Sequence, residues 1–279
     1  MKHRVAAALI ISFLLAALVG VSQSFPASGA GSVPPRAEIA HTPTHPHDVD
    51  ELSPATRSDG GPEFLILRND GYVAAYDEAR KNPAWVCYTF AGKISWTGHK
   101  HENGFHTDKR TRAHVRSADY TNSGFDRGHM APSFGIFSFC GEAAKDQTYL
   151  YSNVVPQLHA LNDGPWGDVE ELEAKTWTEH SGKIRVFSGP AYRDPVTTIG
   201  RGIAVPYATW KIVVRATSDG RFDALAFLMP QTAAQRDRPE KYLTSIRTIE
   251  AATHLDFFAV LPDDEENALE TTVATDLWK

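Results

Sequence analysis

The segment Tyr120-Thr-Asn-Ser-Gly-Phe-Asp126-Arg127-Gly128-His129-Met-Ala-Pro132 sets a carboxylate, a guanidinium, a glycine and an imidazole at four consecutive positions. His129 is the one residue of that set able to accept a proton near neutral pH without a large pKa shift. Arg127 offers a fixed cation, Gly128 suits a tight backbone, and Asp126 can hold a ring nitrogen or the backbone turn. A second polar cluster follows: Ser152-Asn153-Val-Val-Pro156-Gln157, then Leu161-Asn162-Asp163-Gly164-Pro165-Trp166, then Glu170. The Asn162 amide supplies a neutral oxygen, a poor ligand for zinc but acceptable to Mg²⁺, which keeps most of its waters. A base, a cation, an amide oxygen and a carboxylate are the equipment for hydrolysing a phosphodiester bond. That reaction needs an activated water, charge neutralisation on the phosphoryl oxygens and help for the departing alkoxide.

Something must position these groups. Trp166, Val169, Glu173 and Trp177 recur at helical spacing, with Asp163 as N-cap and Pro165 in the first turn. Two helical residues eight apart are separated by about 12 Å along the axis. Asn162 precedes the predicted helix and helical side chains lean toward the N-terminus, so Glu170 suits holding metal-bound water better than binding the ion directly. Short β-type runs cover 64–67, 72–76, 85–90, 149–151, 184–187, 210–214 and 225–228, with turn signals at Asn69-Asp70-Gly71 and Asn82-Pro83. A second helix is predicted over 241–253. Many strands, few helices and no alternating βα rhythm imply one α+β domain, a mostly antiparallel central sheet flanked by helices.

The N-terminus reads as an export signal. Lys2, His3 and Arg4 precede an apolar run from Val5 to Val21, and Ser28-Gly29-Ala30 offers a cleavage site. A retained anchor is the alternative, because the run reaches the lower end of the spanning range. Residues 31–61 are rich in Pro, Ser, Thr and Gly and read as a flexible linker, its His41, His45 and His47 being ordinary polar residues of such a segment. The folded domain is expected over 62–279, and the protein in a secreted or periplasmic location. Loss of residues 1–30 removes Lys2 and Arg4 and no acid, taking the net charge from -6 to -8. That balance excludes a protein built as a tight nucleic-acid binder through overall charge. Between Lys93 and Ser133, however, seven Lys or Arg face four acids, so the segment bearing the motif is locally basic. Cys87 and Cys140 are the only cysteines; in an exported chain they can pair, or Cys87 can stay a buried thiol within Trp85-Val-Cys-Tyr88.

At these residues the chain resembles the sugar-non-specific DNA/RNA endonucleases, a ββα-metal (His-metal finger) family. Asp126-Arg127-Gly128-His129-Met-Ala-Pro132 is similar to the family's DRGH signature, and the second cluster through Glu170 matches in order and spacing. Weaker likenesses extend the resemblance over about 64 to 262. The resemblance implies a metal-dependent phosphodiester hydrolase of DNA, RNA or both. His129 would be the general base, and Asn162 the one direct protein ligand of Mg²⁺ or Mn²⁺. Glu170 would act through metal-bound water, with Arg127 also in the catalytic set. Asn153 and Gln157 would support the site or contact phosphate. The leaving group would be the 3′ oxygen, giving 5′-phosphate ends. An inhibitor protein and a homodimer are the further partners it suggests. Two positions depart from the pattern. Where the family carries an upstream phosphate-binding arginine, this chain has His101 beside Lys100; four residues past Glu170 stands Ala174, with Lys175 next. These lysines and His101 are the candidate replacements on the substrate side, although lysine lacks arginine's bidentate fork. Two other functions fit the same residues: a nucleic-acid-binding protein with impaired turnover, motivated by the missing arginines, and a phosphodiesterase for small substrates, motivated by the acidic balance.

Overall fold

The computed structural model describes residues 50, 52, 56–57, 63–94 and 104–279. Residues 1–30, the histidines 41, 45 and 47, and Lys100 and His101 lie outside the described residues. In chain order the strands are β1 (Leu65–Arg68), β2 (Val73–Asp77), β3 (Asn82–Ala91), β4 (Asp126–His129), β5 (Val154–Gln157), β6 (Lys183–Ala191), β7 (Ala208–Ala216), β8 (Phe222–Pro230) and β9 (Leu243–Thr244). The helices are α1 (Ser133–Cys140), α2 (Glu142–Thr148), a composite α3 over 159–181, α4 (Ile246–Thr253) and α5 (Asp263–Thr271).

Seven strands form one antiparallel sheet in the order β9-β8-β7-β6-β3-β2-β1. Alternation along a strand sends successive side chains to opposite faces. Here both faces are apolar because both are covered. Val86, Tyr88, Phe90, Val186 and Val213 join Trp166, Val169 and Trp177 of α3 and Ile136 of α1 in one core. Trp85, Cys87, Phe187, Trp210, Ile212 and Val214 join Ile246 and Ile249 of α4 and Leu269 of α5 in the other. The β-branched run Ile212-Val-Val214 is wholly buried, as expected of a strand covered on both sides. The α+β architecture with a mostly antiparallel sheet is what the sequence implied.

Several elements differ from expectation. The Asn82-Pro83 turn is instead the start of β3, tolerated because the β2–β3 register shifts between Ala75 and Tyr76 and Pro83 pairs at that irregularity. Residues 149–151 are not a strand: Tyr151–Asn153 is a 3₁₀ turn, and Leu150 makes an isolated bridge to His106. The predicted helix over 241–253 begins only at Ile246, where Ser245 Oγ accepts the Thr248 amide and caps it. The predicted linker also ends early. Leu52 is buried in the second core and Thr56–Arg57 pairs with Leu255–Asp256, so part of 31–61 belongs to the folded body. Cys87 is buried, Cys140 is exposed, and both are free thiols; the pairing considered above does not form.

Candidate active site

The DRGH residues form β4, an antiparallel partner of β5 in a separate two-stranded ribbon, with Asp126 opposite Gln157 and His129 opposite Val154. Gly128 is required by a close approach. A Cβ there would stand 1.9 Å from Gln157 Oε1, a separation no neighbour can relax without moving the glutamine. The ribbon leads directly into α3, so β4, β5 and α3 constitute a ββα unit laid on the sheet.

Alternation places Arg127 and His129 on the same side of β4, both against Phe105. The His129 ring lies 5.0 Å from Phe105 and edge-on to Tyr149 at 5.2 Å, and the Arg127 guanidinium lies 5.7 Å from the Phe105 ring. His129 Nε2 is buried with no hydrogen-bond partner among the described residues. Burial disfavours the charged imidazolium and lowers its pKa to about 4. The ring is therefore neutral at physiological pH and can accept a proton. Arg127 is firmly anchored: Nε donates to Tyr151 Oη (3.0 Å) and Nη2 to the carbonyl and hydroxyl of Ser117 (3.2 Å each). Its Nη1 makes no hydrogen bond within the described residues and is the atom left for an anion.

The helix does not start after an Asp163 cap. It starts at His159 and runs through two π-turns, Asn162–Trp166 and Glu173–Trp177, that flank the regular stretch holding Glu170. Single π-turns inserted into α-helices are common at functional sites. Gly164 has non-helical dihedrals there, and a Cβ would meet the Gln235 backbone at 2.7 Å. Asn162 and Asp163 are thus within the helix rather than before it. The Asn162 Nδ2 donates to Asp126 Oδ2 (3.3 Å), which leaves the amide Oδ1 turned away from that carboxylate. The same Asp126 oxygen holds His159 Nδ1 at 2.8 Å, and the carboxylate raises the His159 pKa through that hydrogen bond and its charge. Trp166 Nε1 donates to the His129 carbonyl at 3.2 Å, a second tie between ribbon and helix. Glu170 Oε1 is buried and has no hydrogen-bond partner among the described residues. Burial raises the Glu170 carboxyl to about 7, opposed by the charge of Lys211.

The structure therefore brings Arg127, His129, Asn162 and Glu170 into one ββα unit, and corrects the roles expected of two others. Asn153 and Gln157 are fully buried and cannot reach a substrate. Asn153 accepts the Ala131 amide (2.8 Å) and donates to the carbonyls of Ala131 and Thr148 (3.0 Å each), clamping the chain two residues past His129. Gln157 Nε2 donates to Thr209 Oγ1 (3.0 Å) on the central sheet. Both are supports. Lys175 pairs with Glu171 and lies 5.6 Å from the Phe134 ring, while Ala174 is buried. Within the basic segment, Arg110 is used internally by Asp108, the Arg68 carbonyl and Asn69. Sequence reasoning missed His159, the Asp126 bridge to Asn162, and Trp166 as a tie. Only the (i, i+3) spacing of His159 and Asn162 on one helix could have signalled the first.

The arrangement fits a hard divalent ion. It offers one neutral amide oxygen freed by a hydrogen bond on its nitrogen, and one orphaned buried carboxylate oxygen. No group of three or more His, Cys, Asp or Glu suited to holding a metal occurs among the described residues; a dication held at Asn162 and Glu170 would keep most of its waters.

A family model described as DNA/RNA non-specific endonuclease matches residues 55–264. Mitochondrial endonuclease G of Homo sapiens is 28% identical over 214 residues, covering 71% of this chain and 71% of its own length. A nuclease of Nostoc sp. is 25% identical over 275 residues, covering 94% of this chain and 96% of its own. The solved structure of an EndoG/EndoGI complex, concerned with the mechanism of EndoG inhibition, shares the fold at a TM-score of 0.65 and 22% identity, over 74% of this chain and 91% of that one. With a matched span that takes in the ribbon, α3 and all seven strands of the sheet, the chain belongs to the DNA/RNA non-specific endonuclease family.

Proposed function

We propose that this endonuclease is an exported, Mg²⁺- or Mn²⁺-dependent enzyme that hydrolyses DNA, RNA or both through His129 as general base. The observation that carries the reading is the His129 ring. Its Nε2 is buried and has no hydrogen-bond partner among the described residues, the ring is neutral, and the strand that carries it is tied through Asp126 and the His129 carbonyl to the helix that bears Asn162 and Glu170. Asn162 Oδ1 would hold the dication directly and Glu170 would hold its water. The ion would supply charge neutralisation on the phosphoryl group and at the departing 3′ oxygen. His129 takes the proton of the attacking water. Arg127 presents Nη1 to the phosphate from a guanidinium fixed by Tyr151 and Ser117. The missing arginines lower the positive charge expected on the substrate side, and His159, exposed on α3 and hydrogen-bonded to Asp126, is a further polar side chain beside the site.

Export rests on residues 2–30, and points to a secreted or periplasmic enzyme. The shared fold with the EndoG/EndoGI complex supports an inhibitor protein as a partner, and a homodimer is the assembly proposed from the family resemblance. Purified protein incubated with supercoiled plasmid, with and without Mg²⁺ or Mn²⁺, tests the reading. Metal-dependent nicking and smearing is expected, and His129→Ala should abolish it while leaving the fold and DNA binding intact. Full activity in His129→Ala removes His129 from the base role. Intact plasmid in every lane, from folded wild type, removes the nuclease reading.

A further inference from the structure

A row of polar side chains lies beneath the ββα unit, on a face of the sheet that is otherwise apolar. Thr209 and Lys211 of β7 and Ser188 of β6, the cross-strand partner of Lys211, are fully buried. Each holds a different part of the site. Thr209 accepts the Gln157 amide that underlies Gly128. Ser188 Oγ donates to the carbonyl of Met130, the residue after His129 (2.9 Å). Lys211 Nζ stands 2.9 Å from Glu173 Oε1 with both side chains at 0% exposure, and 4.4 Å from the centre of the Trp166 ring. Tyr88 Oη completes the pair by donating to Glu173 Oε2 at 2.7 Å.

A buried ion pair is a poor device for stability alone, because desolvation offsets its attraction and apolar replacement of both partners is often neutral or better. What it supplies is a unique alignment. Glu173 begins the second π-turn of α3 and Trp166 ends the first. Lys211 therefore grips the helix on both sides of Glu170, through the residue that also donates to the His129 carbonyl.

We propose that Lys211 is a positioning residue of the nuclease site, setting through Glu173 and Trp166 the rotation of α3 that presents Asn162 and Glu170 to the metal. This rests on the function proposed above. Single removal of the lysine strands a buried carboxylate, so the informative protein is Lys211→Met/Glu173→Met, which removes both charges together. Three readouts are compared with wild type: thermal unfolding, Mn²⁺ binding without nucleic acid by calorimetry, and kcat and KM on plasmid DNA. The double variant should unfold near the wild-type temperature, bind Mn²⁺ at least about tenfold more weakly and lose a similar factor in kcat, as loss of support behind a ligand typically causes. KM for DNA should not move. His129→Ala should bind Mn²⁺ as wild type does. A folded double variant with wild-type Mn²⁺ affinity and kcat overturns the proposal alone. Wild-type protein that binds no Mn²⁺ overturns the metal reading on which it rests, and the proposal with it. Should the double variant not fold, Tyr88→Phe removes only the hydroxyl that orients Glu173. A several-fold weaker Mn²⁺ affinity there supports the assignment, and an unchanged one overturns it.

Discussion

The chemistry of single residues here is set by what lies behind them. His129 would titrate near 6.5 in water, yet burial between Phe105 and Tyr149 lowers it to about 4 and keeps it a base. Asp126 matters through the amide and imidazole it holds. Gly128 is explained by Gln157, whose side chain fills the space a Cβ would need. Gly128→Ala should thus cost about 1–3 kcal/mol by overpacking, read from the urea midpoint at constant slope. A wild-type midpoint would show that Gln157 can move aside without loss.

At the level of elements, α3 was legible as a helix but not in its start or its two π-turns. The spacing of Trp166, Val169, Glu173 and Trp177 identified its apolar face, all four being drawn onto the sheet or its buried pair. Its start and its two π-turns depend on Gly164 meeting the Gln235 backbone and on Lys211 drawing Glu173 inward, contacts made across the fold. Helix α1 was missed because Ser133-Phe-Gly-Ile-Phe-Ser-Phe-Cys140 is apolar nearly all round and shows no period. Helix α5 covers Asp263–Thr271. Its first turn collects Asp263, Asp264, Glu265 and Glu266 at the positive end of the helix dipole, and its inner face docks on α4 through Arg247 and the buried Glu270. Burial and the neighbouring Glu250 raise the Glu270 carboxyl from its ordinary 4.5 to about 8, against the opposing charge of Arg247. The folded state then holds a proton that the unfolded chain releases above about 4.5. The stability so gained is complete below that pH and is lost as pH rises toward 8. Thermal melts from pH 5 to 8 should show a falling midpoint that Glu270→Gln flattens; an unchanged slope in that variant would assign the effect elsewhere.

For the whole molecule, one sheet shared by two apolar layers replaces any covalent staple. With Cys87 buried and Cys140 exposed, both free, reductant should leave the thermal midpoint of the protein unchanged. A fall on reduction would reveal a bridge. The sequence by itself determined the residue types of the site, the antiparallel α+β class and the family, because a base, a cation and an amide at fixed spacing are local facts, as is strand alternation. Which polar residues face substrate and which face the core was decided only in three dimensions. Asn153 and Gln157 looked as available as Asn162, and nothing local paired Glu173 with Lys211. Burial, hydrogen-bond partners and the pairing of Glu173 with Lys211 arise between segments far apart in the chain. Only the folded sheet, with the ribbon and helix laid across it, brings those segments together.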